Sequence, residues 1–169
     1  MKNAIITNVT IQAPVDKVWE TLYTQFGDIV NFNPNLTGSH QTNGKTGVGC
    51  ERQCNLDGKT FVRERITHAT PRQSLTVDIY DGNMPMVKSM TVEMHLKTVS
   101  GNHTEVTVIS TVRTKPAFMA VLMKGMMKGK FQDLLIGLKY YLETGQKVSK
   151  STYKPIFRKY KQLQPAEAF

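Results

Sequence analysis

GVGCERQCNLDGKTFVRERITHATPRQSLTVDI, residues 47–79, carries the reading that decides the fold. Its residues alternate in character with a period of two, the mark of strands with one buried face. Asp57-Gly58 and Pro71 interrupt the alternation as turns. The charges then set the register of the first hairpin. A two-residue loop would place Glu51 against Glu64 and Arg52 against Arg63, like charge on like. A three-residue loop with Gly58 left-handed instead pairs Arg52 with Glu64, Cys50 with Ile66 and Cys54 with Val62. The second register is the expected one. It gathers those six residues on one largely apolar, concave face.

The same period extends outward on both sides. Strands are expected at Leu36–Thr42, Val48–Leu56, Thr60–Ala69, Ser74–Tyr80, Met86–Val99 and Thr104–Lys115, separated by Asn-Gly, Asp-Gly and Ser-Gly-Asn turns. Ile5–Gln12 alternates as a strand ahead of them. Between the first two strands, Pro14 opens an amphipathic helix carrying Val15, Val18, Trp19 and Leu22 to Phe26, and a short helical turn covers Asp28–Asn33. Pro116 starts the longest helical pattern, ended by Gly145, about 28 residues and ~42 Å long. Its wide apolar stripe and a sheet needing cover on one face are solved together if the sheet curls around the helix. A bent sheet that does not close on its helix everywhere leaves a cavity.

Particular residues also resemble a known family. Ile11, Ala13, Pro14, Val18, Trp19 and Leu22, followed by Phe32-Asn33-Pro34, look like the opening of START-like (SRPBCC, polyketide cyclase/dehydrase-like) proteins. Gly47, Gly49, Arg52, Gly58, Glu64, Arg65, Ile66, Leu75, Val77 and Ile79 are similar to the family's next pattern. The resemblance spans roughly residues 3–145. It implies an α+β helix-grip fold: a seven-stranded curved antiparallel sheet around a long C-terminal helix, with two short helices between strands 1 and 2. It also implies a cavity for hydrophobic or amphipathic small molecules. The division expected is a ligand-binding domain over 1–145 and a basic amphipathic tail over 146–169.

Within that frame Arg52 and Glu64 are the pair able to orient a polar ligand end, with Ile66 beside them; a structural ion pair and a pair at the sheet's outer surface are the alternatives. Met119, Met123, Met126 and Met127, joined by Met84, Met86, Met90 and Met94, supply flexible thioethers suited to a plastic lining. Tyr80, next to Asp81-Gly82-Asn83, is expected at the rim. Ligand-binding candidates are thus Arg52, Glu64, Ile66, Tyr80, Met90, Met119, Met123 and Met126. Gly125 and Gly129 each cost about 1 kcal/mol against alanine in a helix, which close approach to the sheet or open pocket volume would explain, a dispensable bend being the other reading. Trp19 reads as core.

The remaining chemistry is narrow. Cys50 and Cys54 lie about 13 Å apart on one strand face at ~3.3 Å per residue, beyond disulfide reach. No metal-ligand spacing, nucleophile–base pairing or phosphate-cradling glycine loop is present in the sequence, and no cofactor is expected. The net charge is +9, of which residues 146–169 carry +5. No nucleic-acid motif accompanies it, so nucleic acid is not an expected partner. The tail's Tyr153, Ile156, Phe157, Tyr160 and Leu163 fall at helical spacing around Pro155, itself placed in a first turn. Such a helix orders by docking on its own domain, on a second copy as a homodimer, on an anionic membrane surface, or on a separate acidic partner. The N-terminus lacks the apolar block of a signal peptide, which favours a cytoplasmic location. Three functions remain open: a binding or carrier protein for a small hydrophobic ligand, a cyclase- or dehydratase-like enzyme on a polyketide-type or aromatic substrate, and a protein-interaction module.

Overall fold

The computed structural model describes residues 4–161. Seven antiparallel strands form one sheet: β1 (Ile5–Ile11), β2 (Gly38–Gln41), β3 (Glu51–Asn55), β4 (Phe61–Thr70), β5 (Ser74–Gly82), β6 (Val87–Ser100) and β7 (His103–Thr114). Their spatial order is β1-β7-β6-β5-β4-β3-β2, so consecutive strands from β2 onward are neighbours and β1 closes against the last. The expected helix-grip architecture is present. β1 alternates buried and exposed residues along its whole length, with Ile5, Val9 and Ile11 inward. β7 repeats the alternation through Val106, Val108 and Val112.

Between β1 and β2 the chain crosses from one sheet edge to the other. The expected continuous helix is broken there: α1 (Val15–Trp19) passes into a π-type turn (Glu20–Thr24) and a 3₁₀ stretch (Phe26–Asn31). The Thr21 hydroxyl bonds back to the Lys17 carbonyl at 3.0 Å, a competing bond that bends helices. Val18, Leu22, Phe26 and Ile29 still reach the core. Trp19 stacks on Tyr23, 4.6 Å between ring centres, at the margin of that core.

The long helix α2 (Met119–Thr144) ends at Gly145, whose φ of 73° suits a glycine cap. Met123, Met127, Phe131, Leu134, Leu135, Leu138 and Leu142 face the sheet. The helix backbone approaches β1 and β7 most closely and stands away from β3–β5. That asymmetry leaves the space described below. Gly137 sits where α2 meets the 32–34 segment, so that a Cβ there would fall on the Phe32 carbonyl. At Gly125 and Gly129, by contrast, a Cβ would meet nothing within 4 Å. Neither close approach to the sheet nor a packing need holds them as glycine. Gly125→Ala and Gly129→Ala are therefore expected to raise stability by about 0.5–1 kcal/mol each, read as a higher urea midpoint at constant m.

The tail folds back on its own domain. α3 (Lys150–Lys161) lays Ile156 and Tyr160 against Ile136 on the outer side of α2, with Val148 buried between them. The Tyr153 hydroxyl donates to Asp133 at 2.7 Å and that of Tyr160 to Glu143 at 3.1 Å. Burial and the facing carboxylate push the Tyr160 phenol up to about 12, so it stays a donor. The helix starts earlier than expected, and Pro155 lies inside it rather than in its first turn. Thr152 explains the shift: its hydroxyl accepts from the Ser149 backbone N–H at 3.0 Å, fixing the start one residue later. Leu163, the last residue of the expected stripe, lies outside the described residues.

Candidate functional site

The gap between α2 and the sheet is a cavity of about 360 Å³, open on one side. Its sheet wall consists of Val62, Val77, Ile79, Met90, Val92 and Met94. These side chains alternate along β4, β5 and β6, so that the pleat sends every second residue inward. Met126, Met127, Phe131 and Leu134 form the helix wall. Ile29 closes the inner end from the 3₁₀ stretch.

Arg52 and Glu64 are the charged pair set into this apolar wall. They are cross-strand partners, as the charges required, and Cys54 lies opposite Val62. The hairpin loop has three residues: the Leu56 N–H donates to the Thr60 carbonyl at 2.8 Å, and Gly58 has a φ of 63°. The Arg52 side chain is 6% exposed and that of Glu64 13%. Arg52 Nη2 and Nε lie 2.5 and 2.6 Å from the same carboxylate oxygen, Oε2. A third bond runs from Nη1 to the Phe26 carbonyl at 2.6 Å, and the guanidinium rests 3.8 Å from the centre of the Phe26 ring. The Cys54 thiol also points to Oε2, at 3.7 Å. No hydrogen bond to Glu64 Oε1 is present among the described residues.

At the mouth stand Asn33, Asn35, Leu36, Leu56, Asp57, Thr60 and Lys130. Lys130 Nζ donates to Asn35 Oδ1 at 2.9 Å, and the Asn35 amide returns a bond to the Lys130 carbonyl at 3.1 Å. Asp57 pairs with Lys150 of α3 at 2.9 Å, and that bond holds its carboxyl below the usual range. The docked tail thus touches the rim of the cavity.

The other candidates read from the sequence divide between the cavity and its surroundings. Met90 and Met126 line the cavity with Arg52 and Glu64, whereas Ile66, Met119 and Met123 do not. Ile66 is fully buried in the core beside Cys50, beyond the cavity's inner end. Met123 packs into the core one turn before Met127, and Met119 lies on the helix's first turn, outside the lining. Tyr80 follows Ile79 and so points to the opposite face, where the Arg65 guanidinium lies over its ring at 4.5 Å. It edges a separate, smaller hollow of about 160 Å³ near the β5–β6 turn. Asn35, Lys130 and Phe131 join the lining without having been candidates. Phe131 stands in the α2 stripe, but nothing in a single sequence marks a mouth asparagine.

Reactive chemistry is sparse here. Burial raises both cysteine thiols above their ordinary range, Cys54 most, with the Glu64 charge adding to it. Neither is a thiolate nucleophile at neutral pH. None of the four histidines lines the cavity. Among the described residues no group of three or more His, Cys, Asp or Glu is arranged to hold a metal ion, and no helix is long and apolar enough to cross a membrane.

A family model described as "Polyketide cyclase / dehydrase and lipid transport" matches residues 5–143. The chain belongs to this family. Its START-like fold recurs in solved structures of low sequence identity. Ara h 8.0201 aligns at 17% identity with a TM-score of 0.70, covering 83% of this chain and 97% of that one. The di-domain ARO/CYC protein BexL from the BE-7585A biosynthetic pathway aligns at 13% and 0.67, covering 83% and 46%. Major latex-like protein 151 of Panax ginseng gives 18% and 0.54, covering 77% and 96%. No curated protein sequence matches the chain. Family membership supports a ligand-binding or cyclase-like role.

Proposed function

We propose that the protein binds a small hydrophobic or amphipathic ligand, a lipid-like molecule among them, in the cavity between α2 and the sheet. The observation that carries this reading is an apolar space of ligand size, about 360 Å³, with a single charged pair built into its wall. The ligand's apolar body packs against Met90, Val92, Met94, Met126 and Phe131, whose removal from water supplies most of the affinity. A hydroxyl or amine on the ligand donates to Glu64 Oε1, the oxygen that Arg52 leaves unengaged. Met90, Met94, Met126 and Met127 lend the wall the adaptability to accept more than one shape.

The catalytic alternative needs a group in the cavity that gives and takes a proton. The titratable lining residues are Arg52, Glu64, Asp57 and Lys130, each engaged by a partner: Arg52 and Glu64 by one another, Asp57 by Lys150, Lys130 by Asn35. Two bonds from Arg52 to one carboxylate oxygen hold Glu64 in a fixed orientation, which suits orienting a donor better than relaying a proton. The arrangement therefore supports binding over turnover.

Titration with the fluorescent amphipathic probe 1-anilinonaphthalene-8-sulfonate tests the reading. One saturable site is expected, and Ile79→Trp, which fills the cavity from the sheet side, should weaken it by about tenfold or more. Unchanged probe affinity in a folded Ile79→Trp protein would place binding outside the cavity and overturn the proposal.

A further inference from the structure

The first half of α2 is apolar on both sides. Ala120, Met123 and Met127 are buried against the domain. On the opposite side Phe118, Val121, Leu122 and Met126 are 64%, 65%, 68% and 57% exposed. With Gly125 and Gly129 they fall at i, i+3, i+4, i+7, i+8 and i+11, one continuous stripe along the helix. Met86, also exposed, joins its start, since the Lys115 N–H donates to the Met86 carbonyl at 3.0 Å. An exposed apolar stripe of this extent marks a surface that is covered in use.

The charges around the stripe say by what. Lys115, Lys124 and Lys128 flank it, and Lys130 follows at the cavity mouth. No acidic residue occurs between Glu105 and Asp133. A second copy brought up by a twofold axis would set these lysines against one another with no carboxylate between them. Apolar side chains rimmed by cations match a negatively charged lipid surface, where the apolar groups enter the acyl boundary and the lysines meet the headgroups. The cationic tail is not this surface, because its apolar side is already spent on α2.

We propose that the exposed face of α2, from Phe118 to Met126, docks the protein on an anionic lipid bilayer. Met126 belongs both to this face and to the cavity lining, so docking sets the cavity mouth beside the membrane. The docking claim does not depend on what the cavity holds.

Co-sedimentation of the full chain with lipid vesicles tests it. Vesicles of equimolar phosphatidylcholine and phosphatidylglycerol should carry the protein down at low salt, and pure phosphatidylcholine should carry far less. Added salt should release a part of it. The double variant Val121→Glu/Leu122→Glu, altered at exposed positions only, should keep its thermal midpoint and lose binding by about tenfold or more. Leu122→Trp should gain a blue-shifted emission on the anionic vesicles that wild type lacks. Ile79→Trp, blocked in the cavity, should bind vesicles like wild type, which separates this claim from the ligand reading. The proposal is overturned if wild type ignores anionic vesicles, if the glutamate variant binds as well as wild type, or if Leu122→Trp shows no shift. A concentration-dependent dimer that the glutamate variant abolishes, in a protein that ignores vesicles, would give the face to a second copy instead.

Discussion

Arg52→Ala will cost about 3–5 kcal/mol of folding stability, the range for breaking a buried ion pair from one side. The variant leaves the Glu64 carboxylate in an apolar wall without its cation, and strips the Phe26 carbonyl and ring of their partner. Glu64→Gln should cost less, because an amide keeps an acceptor for Arg52, yet it still leaves the guanidinium uncompensated. The paired replacement Arg52→Met/Glu64→Leu should recover most of the loss, since it removes both desolvation penalties at once. Urea unfolding of wild type and the three variants at neutral pH measures this directly. A loss below about 1 kcal/mol for Arg52→Ala would mean that the pair behaves as a solvated surface bridge.

A second large effect is expected at Gly137. A Cβ at this position would meet the Phe32 carbonyl oxygen well inside contact distance, with the Phe32 carbonyl carbon and Pro34 Cδ each 3.2 Å away. The obstacles are backbone and a proline ring, neither of which turns aside as a long side chain would. Gly137→Ala should therefore destabilise by about 3 kcal/mol, the upper end of ordinary overpacking, although alanine is the better helix former. The opposite sign at Gly125 and Gly129 makes the three alanine variants an internal comparison. If Gly137→Ala unfolds at the wild-type urea concentration or above, α2 does not approach the 32–34 segment as described.

The hairpin register was legible because electrostatics left one acceptable pairing: Arg52 opposite Glu64 follows from refusing Arg52 opposite Arg63. Strand alternation could also have excluded Tyr80 from the cavity. Ile79 and Tyr80 are adjacent, so they cannot share a face, and Ile79 is the one turned inward. The methionines were harder. Met119, Met123, Met126 and Met127 all lie in one apolar pattern, and only the distance between helix and sheet decides which of them meets empty space. That distance is set by strand curvature, which no local spacing encodes. The same gap hid the exposed side of α2, since apolar spacing alone does not tell a helix face that meets a neighbour from one, like that of Val121 and Leu122, that meets solvent. In the tail, the amphipathic pattern was plain, but its docking site required Ile136 and Asp133 to face away from the sheet.

The central claim is that a ligand enters between Met90 and Met94 on the sheet and Met126 and Met127 on the helix. Methyl-labelled methionine spectra reach these side chains one by one, with assignments from single Met→Leu variants. On addition of 1-anilinonaphthalene-8-sulfonate, the Met90 and Met94 methyl resonances should move together with Met127, while that of Met123, packed in the core beyond the lining, should stay within its original line. The account is contradicted if the probe shifts only the exposed Met86 and Met126 and leaves Met90 and Met94 where they were.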